Sequence, residues 1–127
     1  MTDNVTDAIT DLTRQLVDFR DARDWAQFHK LKDLILSVSI ESGDLLELVQ
    51  WKDADSIEDL ALDPTLDEGK FRTNLEHEVA DVFLYLLLVC ERANIDIVEA
   101  AKNKMNHNHA KYPVSKAHGN AKKYTEL

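Results

Sequence analysis

Apolar residues recur at helical spacing along most of this chain, and that periodicity constrains the fold more than any other feature. Val5, Ile9, Leu12, Leu16 and Phe19 step by threes and fours, which predicts an amphipathic helix from Val5 to about Arg23. A second helix is predicted from about Leu31 to Trp51. Its apolar set, including Leu34, Ile35, Val38, Leu45 and Leu48, reaches around much of the circumference and calls for burial between several partners. A third runs from about Thr73 to Ala93, with Thr73 and Glu76 at capping-box spacing and Asn94 placed for a left-handed C-cap. Asp96 and Glu99 form another capping box, opening a fourth helix that reaches about His109 before Tyr112-Pro113 stops it.

No stretch alternates as a strand would, and three Gly with two Pro supply too few turns for a sandwich or barrel. The expectation is an all-α fold, a four-helix bundle. Between the first two helices lies an aromatic turn, Asp24-Trp-Ala-Gln-Phe-His29. Between the second and third lies an acidic connection, Lys52 to Glu68, with room for one helical turn at Ser56 to Leu60. The chain divides into an all-α domain over residues 1–113 and a basic tail over 114–127 that reads as irregular.

A length of 127 residues suits one domain with a single core, burying roughly two-thirds of its unfolded surface. A single cysteine, Cys90, excludes an internal disulfide and a thiolate-only zinc site, and reads as a core thiol. The first residues have neither the basic region nor the apolar run of a signal peptide. The longest apolar stretch, Val82 to Cys90, is too short to span a bilayer. A cytoplasmic protein with no membrane partner is expected.

The net charge of −9 is unevenly spread. Six Lys against one acid from Lys102 to Leu127 give +5, leaving 9 bases against 23 acids, −14, in residues 1–101. So acidic a body excludes a broad footprint on a nucleic acid polymer, though not one small phosphate ligand brought in with a cation.

Four acids stand where apolar residues dominate. Glu41 and Asp44 interrupt the second helix, and Glu78 and Asp81 the third; each pair is three apart and shares one helix face. Acids set in apolar helices must meet solvent, a partner charge or a metal. If the pairs face each other, two like charges at about 4 Å repel by roughly 4 kcal/mol at an effective dielectric near 20. A divalent ion removes that repulsion, and oxygen-only ligands select Mg²⁺, with Mn²⁺ as substitute, over zinc. The alternative is a solvated acidic stripe on each helix. Glu47, three residues on, reads equally as a ligand, a base or a surface acid. A di-iron bundle fails, because Gln50 and Asn94 stand where Glu-x-x-His would need histidine.

The segments Glu41-Ser-Gly-Asp-Leu-Leu-Glu-Leu-Val-Gln-Trp51 and Glu78-Val-Ala-Asp-Val-Phe-Leu-Tyr85 resemble the paired acidic motifs of the MazG-type all-α nucleoside triphosphate pyrophosphatases. Arg23 to His29, Lys104 to Asn108, Lys111-Tyr-Pro113 and Lys122 to Leu127 are most similar to the dCTP pyrophosphatase branch of that family. The resemblance implies hydrolysis between the α and β phosphates, giving a nucleoside monophosphate and pyrophosphate. It implies Mg²⁺ on Glu41, Asp44, Glu78 and Asp81, and a base pocket from Trp25, His29 and Trp51. It also implies ligand contacts from Tyr85, Lys104 and Asn108, and a bundle completed by assembly into homodimers or homotetramers. Glu41 and Glu47 are the candidates for the group that orients or deprotonates water. Two departures bear on this: Asp44 stands where the family commonly has Glu, and Leu31-Lys-Asp33 follows the aromatic turn in place of Pro, a basic residue and Asn. A rival reading of the same residues is a non-catalytic acidic helical module that binds a basic partner or holds a structural cation.

Overall fold

The computed structural model of the protein describes residues 2–127, except for the side chains of residues 2, 3, 5 and 6. The chain forms two compact units, Met1–Asn94 and Ile95–Leu127. The first holds α1 (Thr2–Ala22), α2 (Leu31–Glu47), α3 (Ala54–Leu62) and α4 (Lys70–Ala93), with short 3₁₀ turns at Ala26–Phe28 and Leu66–Gly69. The second holds α5 (Ile97–Lys111), α6 (Val114–Ala117) and a 3₁₀ turn at Tyr124–Glu126. No strand occurs among the described residues, so the fold is all-α, as the periodicity predicts. No helix among them is long and apolar enough to cross a membrane. The expected place of Val5 on the α1 stripe lies outside the described residues.

Helix α4 is the spine of the first unit. Its most extensive packing is against α2, with α1 and α3 against it to a lesser extent. The core is small: its fully buried apolar side chains among the described residues are Leu34 on α2 and Phe71, Leu87, Leu88 and Cys90 on α4. Burial pushes the Cys90 thiol up from its ordinary value, which keeps it protonated and inert.

Helix ends differ from the sequence reading where a local hydrogen bond decides them. Helix α2 ends at Glu47 rather than Trp51, because the amides of Leu48 and Val49 turn back to the carbonyls of Leu45 and Leu46. Thr73 does not cap α4, which begins three residues earlier. There Asp67, Glu68 and Gly69 are all left-handed, the Asp67 carboxylate accepts from the Phe71 amide at 3.2 Å, and Glu76 is engaged by Arg72. Ser56 to Leu60 lies inside a full helix, α3, whose N-terminus Asp53 caps through the Ser56 amide. The C-cap at Asn94 (φ 55°) and the Asp96 cap, which accepts from the Glu99 amide at 3.1 Å, form as expected.

In the second unit the tail is more ordered than its composition suggests. Pro113 starts α6, and Tyr124 packs edge-on against Tyr112 with ring centroids 6.1 Å apart. The Lys111 ammonium sits 4.6 Å over the Tyr124 ring.

Candidate functional site

The packing of α2 on α4 brings acids from both helices together. Carboxylate oxygens of Glu41, Asp44 and Glu78 lie within 4.8 Å of one another, and all three residues are half-buried. Spacing of three residues on α2 aims Glu41 and Asp44 the same way, and α4 supplies Glu78 opposite. Burial, and then the charges of Asp81, Asp44 and Glu78, raise the Glu41 carboxyl above its ordinary value. Asp81, one turn along α4, is exposed and stands outside the group of three, yet close enough to act on Glu41. Glu47 is exposed and also outside the group.

Glu78 Oε2 is buried and has no hydrogen-bond partner. An orphaned carboxylate oxygen facing two further acids is costly as it stands and suits a hard divalent cation. The donor set, oxygen throughout, fits Mg²⁺ or Mn²⁺.

Beside the acids lies a cavity of about 260 Å³. Trp25 and His29, from the aromatic turn, form one wall. Asp81, Leu84, Tyr85 and Leu88 on α4 form another. Leu16, Phe19 and Arg20 on α1 complete it. Trp25 is fixed edge-on to Phe19, ring centroids 5.7 Å apart, and the Arg23 guanidinium lies 3.6 Å over the Phe19 ring. His29 Nδ1 is buried with no hydrogen-bond partner. Asp81 belongs to this wall and also acts on Glu41, so the acids and the cavity adjoin.

Of the residues singled out from the sequence, Trp25, His29, Tyr85 and Asp81 therefore share one cavity, and Glu41, Asp44 and Glu78 share one acidic centre. Trp51 does not line the cavity; it lies past the end of α2 and is 88% exposed. Lys104 and Asn108 occupy one face of α5 in the second unit, Lys104 exposed and Asn108 half-buried. Arg20 escaped the sequence reading. Its signal was its place one turn after Leu16, on the apolar stripe rather than the polar face.

An all-α protein whose central helix pair gathers carboxylates beside an aromatic-walled cavity is the class that fold and site define. A family model described as MazG-like matches residues 36–127. Among curated proteins, rat dCTP pyrophosphatase 1 is 37% identical over 119 residues, covering 94% of this chain and 67% of that protein. The human dCTP pyrophosphatase 1 is 35% identical over the same share of each. Among solved structures, a pyrophosphatase from Archaeoglobus fulgidus superposes with a TM-score of 0.74 at 38% identity, covering 84% of this chain and 93% of that one. The chain belongs to the MazG-like family, on its dCTP pyrophosphatase-like side.

Proposed function

We propose that this protein is a Mg²⁺-dependent nucleoside triphosphate pyrophosphohydrolase. It cleaves the α–β phosphoanhydride of deoxynucleotides, dCTP or a related pyrimidine nucleotide, and yields the monophosphate and pyrophosphate. The observation that carries this is the buried, unpartnered Glu78 Oε2 set against Glu41 and Asp44 beside an aromatic cavity. The dCTP pyrophosphatase relatives and the pyrophosphatase neighbour support the reaction class.

Glu41, Asp44 and Glu78 hold the ion, with Asp81 completing the set from the cavity side. When bound, Mg²⁺ supplies Lewis acidity and offsets the charge of the polyphosphate. Glu41 or Glu47 orients the attacking water and takes its proton as oxygen bonds to the α-phosphorus and the bond to pyrophosphate breaks. Trp25 offers an aromatic face for the base in the cavity, a stack being worth roughly 1–3 kcal/mol, and Trp51, outside that cavity, would join it from a second copy of the chain. His29 and Tyr85 contact the nucleoside, and Lys104 with Asn108 addresses phosphate and sugar.

Residues 1–113 carry this chemistry and 114–127 act as a basic tail. Large exposed apolar side chains on α2 and α4, among them Ile40, Leu46 and Val79, support a homodimer or homotetramer. The setting is cytoplasmic, where the enzyme removes unwanted or modified nucleotides. Incubation with a dNTP panel and Mg²⁺, followed by product separation, tests the reading. dCMP with pyrophosphate is expected from dCTP; dCDP with phosphate would refute the cleavage position.

A further inference from the structure

We propose that Arg23 is a positioning residue for the aromatic wall of the cavity: laid on Phe19, it holds the Trp25 ring where the base of the substrate stacks. The proposal rests on the nucleotide reading above and adds the group that keeps its stacking surface in place.

Backbone bonds set where Trp25 leaves α1. The Trp25 amide donates to the Arg20 carbonyl at 3.1 Å, and the Asp24 amide to the Asp21 carbonyl at 3.1 Å. This nested pair closes a helix around a left-handed residue. Here that residue is Asp24 (φ 52°), and the Gln27 side-chain amide donates to both its carbonyl and its carboxylate, each at 3.0 Å. These bonds fix the Trp25 backbone but leave the rotation of its ring to be decided by side-chain contacts.

Phe19 and Arg23 supply those contacts. Phe19 meets Trp25 at an interplanar angle of 75°. Arg23, four residues after Phe19, places its guanidinium 3.6 Å from the Phe19 centroid and 5.9 Å from that of Trp25. Its Nη1 also donates to the Phe19 carbonyl at 2.9 Å. One flat cation thus covers a ring and bonds the backbone that carries it, which the compact ammonium of lysine does less well.

Arg23 spends its charge differently from other arginines of this acidic chain. Arg14, Arg20 and Arg72 each meet a carboxylate, whereas Arg23 forms no ion pair among the described residues. Phe19 and Trp25 line the cavity and Arg23 does not, so Arg23 acts on a ligand there through the two rings. Trp25 is 43% exposed and Phe19 47%, so core packing does not lock either ring. A ring already aligned before the nucleotide arrives spares the cost of ordering it on binding.

The test measures Mg²⁺-dependent dCTP hydrolysis by the native protein, Arg23→Ala and Arg23→Lys, with inorganic tripolyphosphate as an inhibitor that lacks a base. Arg23→Ala should raise KM about three- to fivefold and leave kcat within about twofold, with Arg23→Lys between it and the native protein. The inhibition constant of tripolyphosphate should stay within about twofold of native in both variants, because only the base meets Trp25. In a Trp51→Phe background, which isolates Trp25, Arg23→Ala should move the indole emission to longer wavelength and speed the decay of its anisotropy. A native KM in Arg23→Ala overturns the proposal. So does a tripolyphosphate constant that rises as much as KM, which would make Arg23 an attractant for phosphate. Unchanged emission and anisotropy of Trp25 overturn it as well. Should Arg23→Ala fail to fold, Arg23→Lys decides by the same readouts. Each of these failures leaves native dCTP hydrolysis standing, whereas hydrolysis of no dNTP by the native protein refutes the proposed function and this proposal with it.

Discussion

Arg20 donates to Glu91 at 3.0 Å across 71 positions of sequence, and among the described residues this is the one ion pair that joins two helices. It ties α1 to the C-terminal end of α4 with one partner largely shielded and the other 35% exposed. A charge-assisted bond in that setting contributes about 1–2 kcal/mol, less than a fully buried pair because solvent screens Glu91. Glu91→Ala should lower the unfolding free energy by that amount, read as a lower urea midpoint at an unchanged slope, and Glu91→Gln, which keeps an acceptor, by about half as much. A midpoint equal to the native one would show that the pair adds nothing.

Glu41 links the acidic centre to pH. Burial and then neighbouring carboxylates place its proton affinity above the ordinary value of 4.5, so the folded chain binds that proton more tightly than the unfolded chain does. Its contribution to stability is fully present at low pH and is lost as pH rises from 4.5 through the raised folded value. Metal-free Glu41→Gln should therefore be more stable than the native chain at neutral pH, the difference vanishing below about pH 4. Thermal unfolding of both proteins across that range, with and without Mg²⁺, measures it. Mg²⁺ should raise the native midpoint at neutral pH and raise that of Glu41→Gln far less.

The acidic centre was legible in the sequence because acids are rarely spared inside apolar helices, and three-residue spacing fixes which face they share. Helices α1, α2, α4 and α5 were legible for the same reason, periodicity being a local signal. What periodicity does not carry is a partner distant in sequence. The place of Arg20 on the apolar stripe of α1 is a local signal, but its partner Glu91 lies 71 positions on, in α4. The start of α4 was misplaced because three left-handed residues, Asp67 to Gly69, turn the chain there. Two of them are not glycine, so composition gave no warning. Trp51 was drawn into α2 by its apolar neighbours, yet the turn at Leu48 and Val49 ends the helix first.

Leu87 is 2% exposed on α4, in a core of few buried side chains. Leu87→Ala should cost about 3 kcal/mol, within the range for a buried leucine whose cavity only partly collapses. Because α4 also carries Glu78, loosening this contact should weaken Mg²⁺ binding as well, which titration calorimetry on the folded fraction would read. A loss below about 0.5 kcal/mol would mean that the α4 face is not the centre of the core.

The last prediction concerns the apolar surface of α2. Ile40 is 64% exposed, and Leu36, Ile35 and Leu46 on the same helix are also more than half exposed. Leaving so much aliphatic surface in water forgoes roughly 25 cal/mol per Å², more than the small core of the first unit can spare. Light scattering at about 10 µM, far above the dissociation constant of a stable self-complementary interface, should give the mass of a dimer or tetramer. Ile40→Arg, which sets a charge on that surface without touching Leu34 or Leu87, should shift the mass toward 14.5 kDa. Far-ultraviolet circular dichroism should remain helical in the same variant. Native protein that scatters as a monomer at this concentration would contradict assembly through α2.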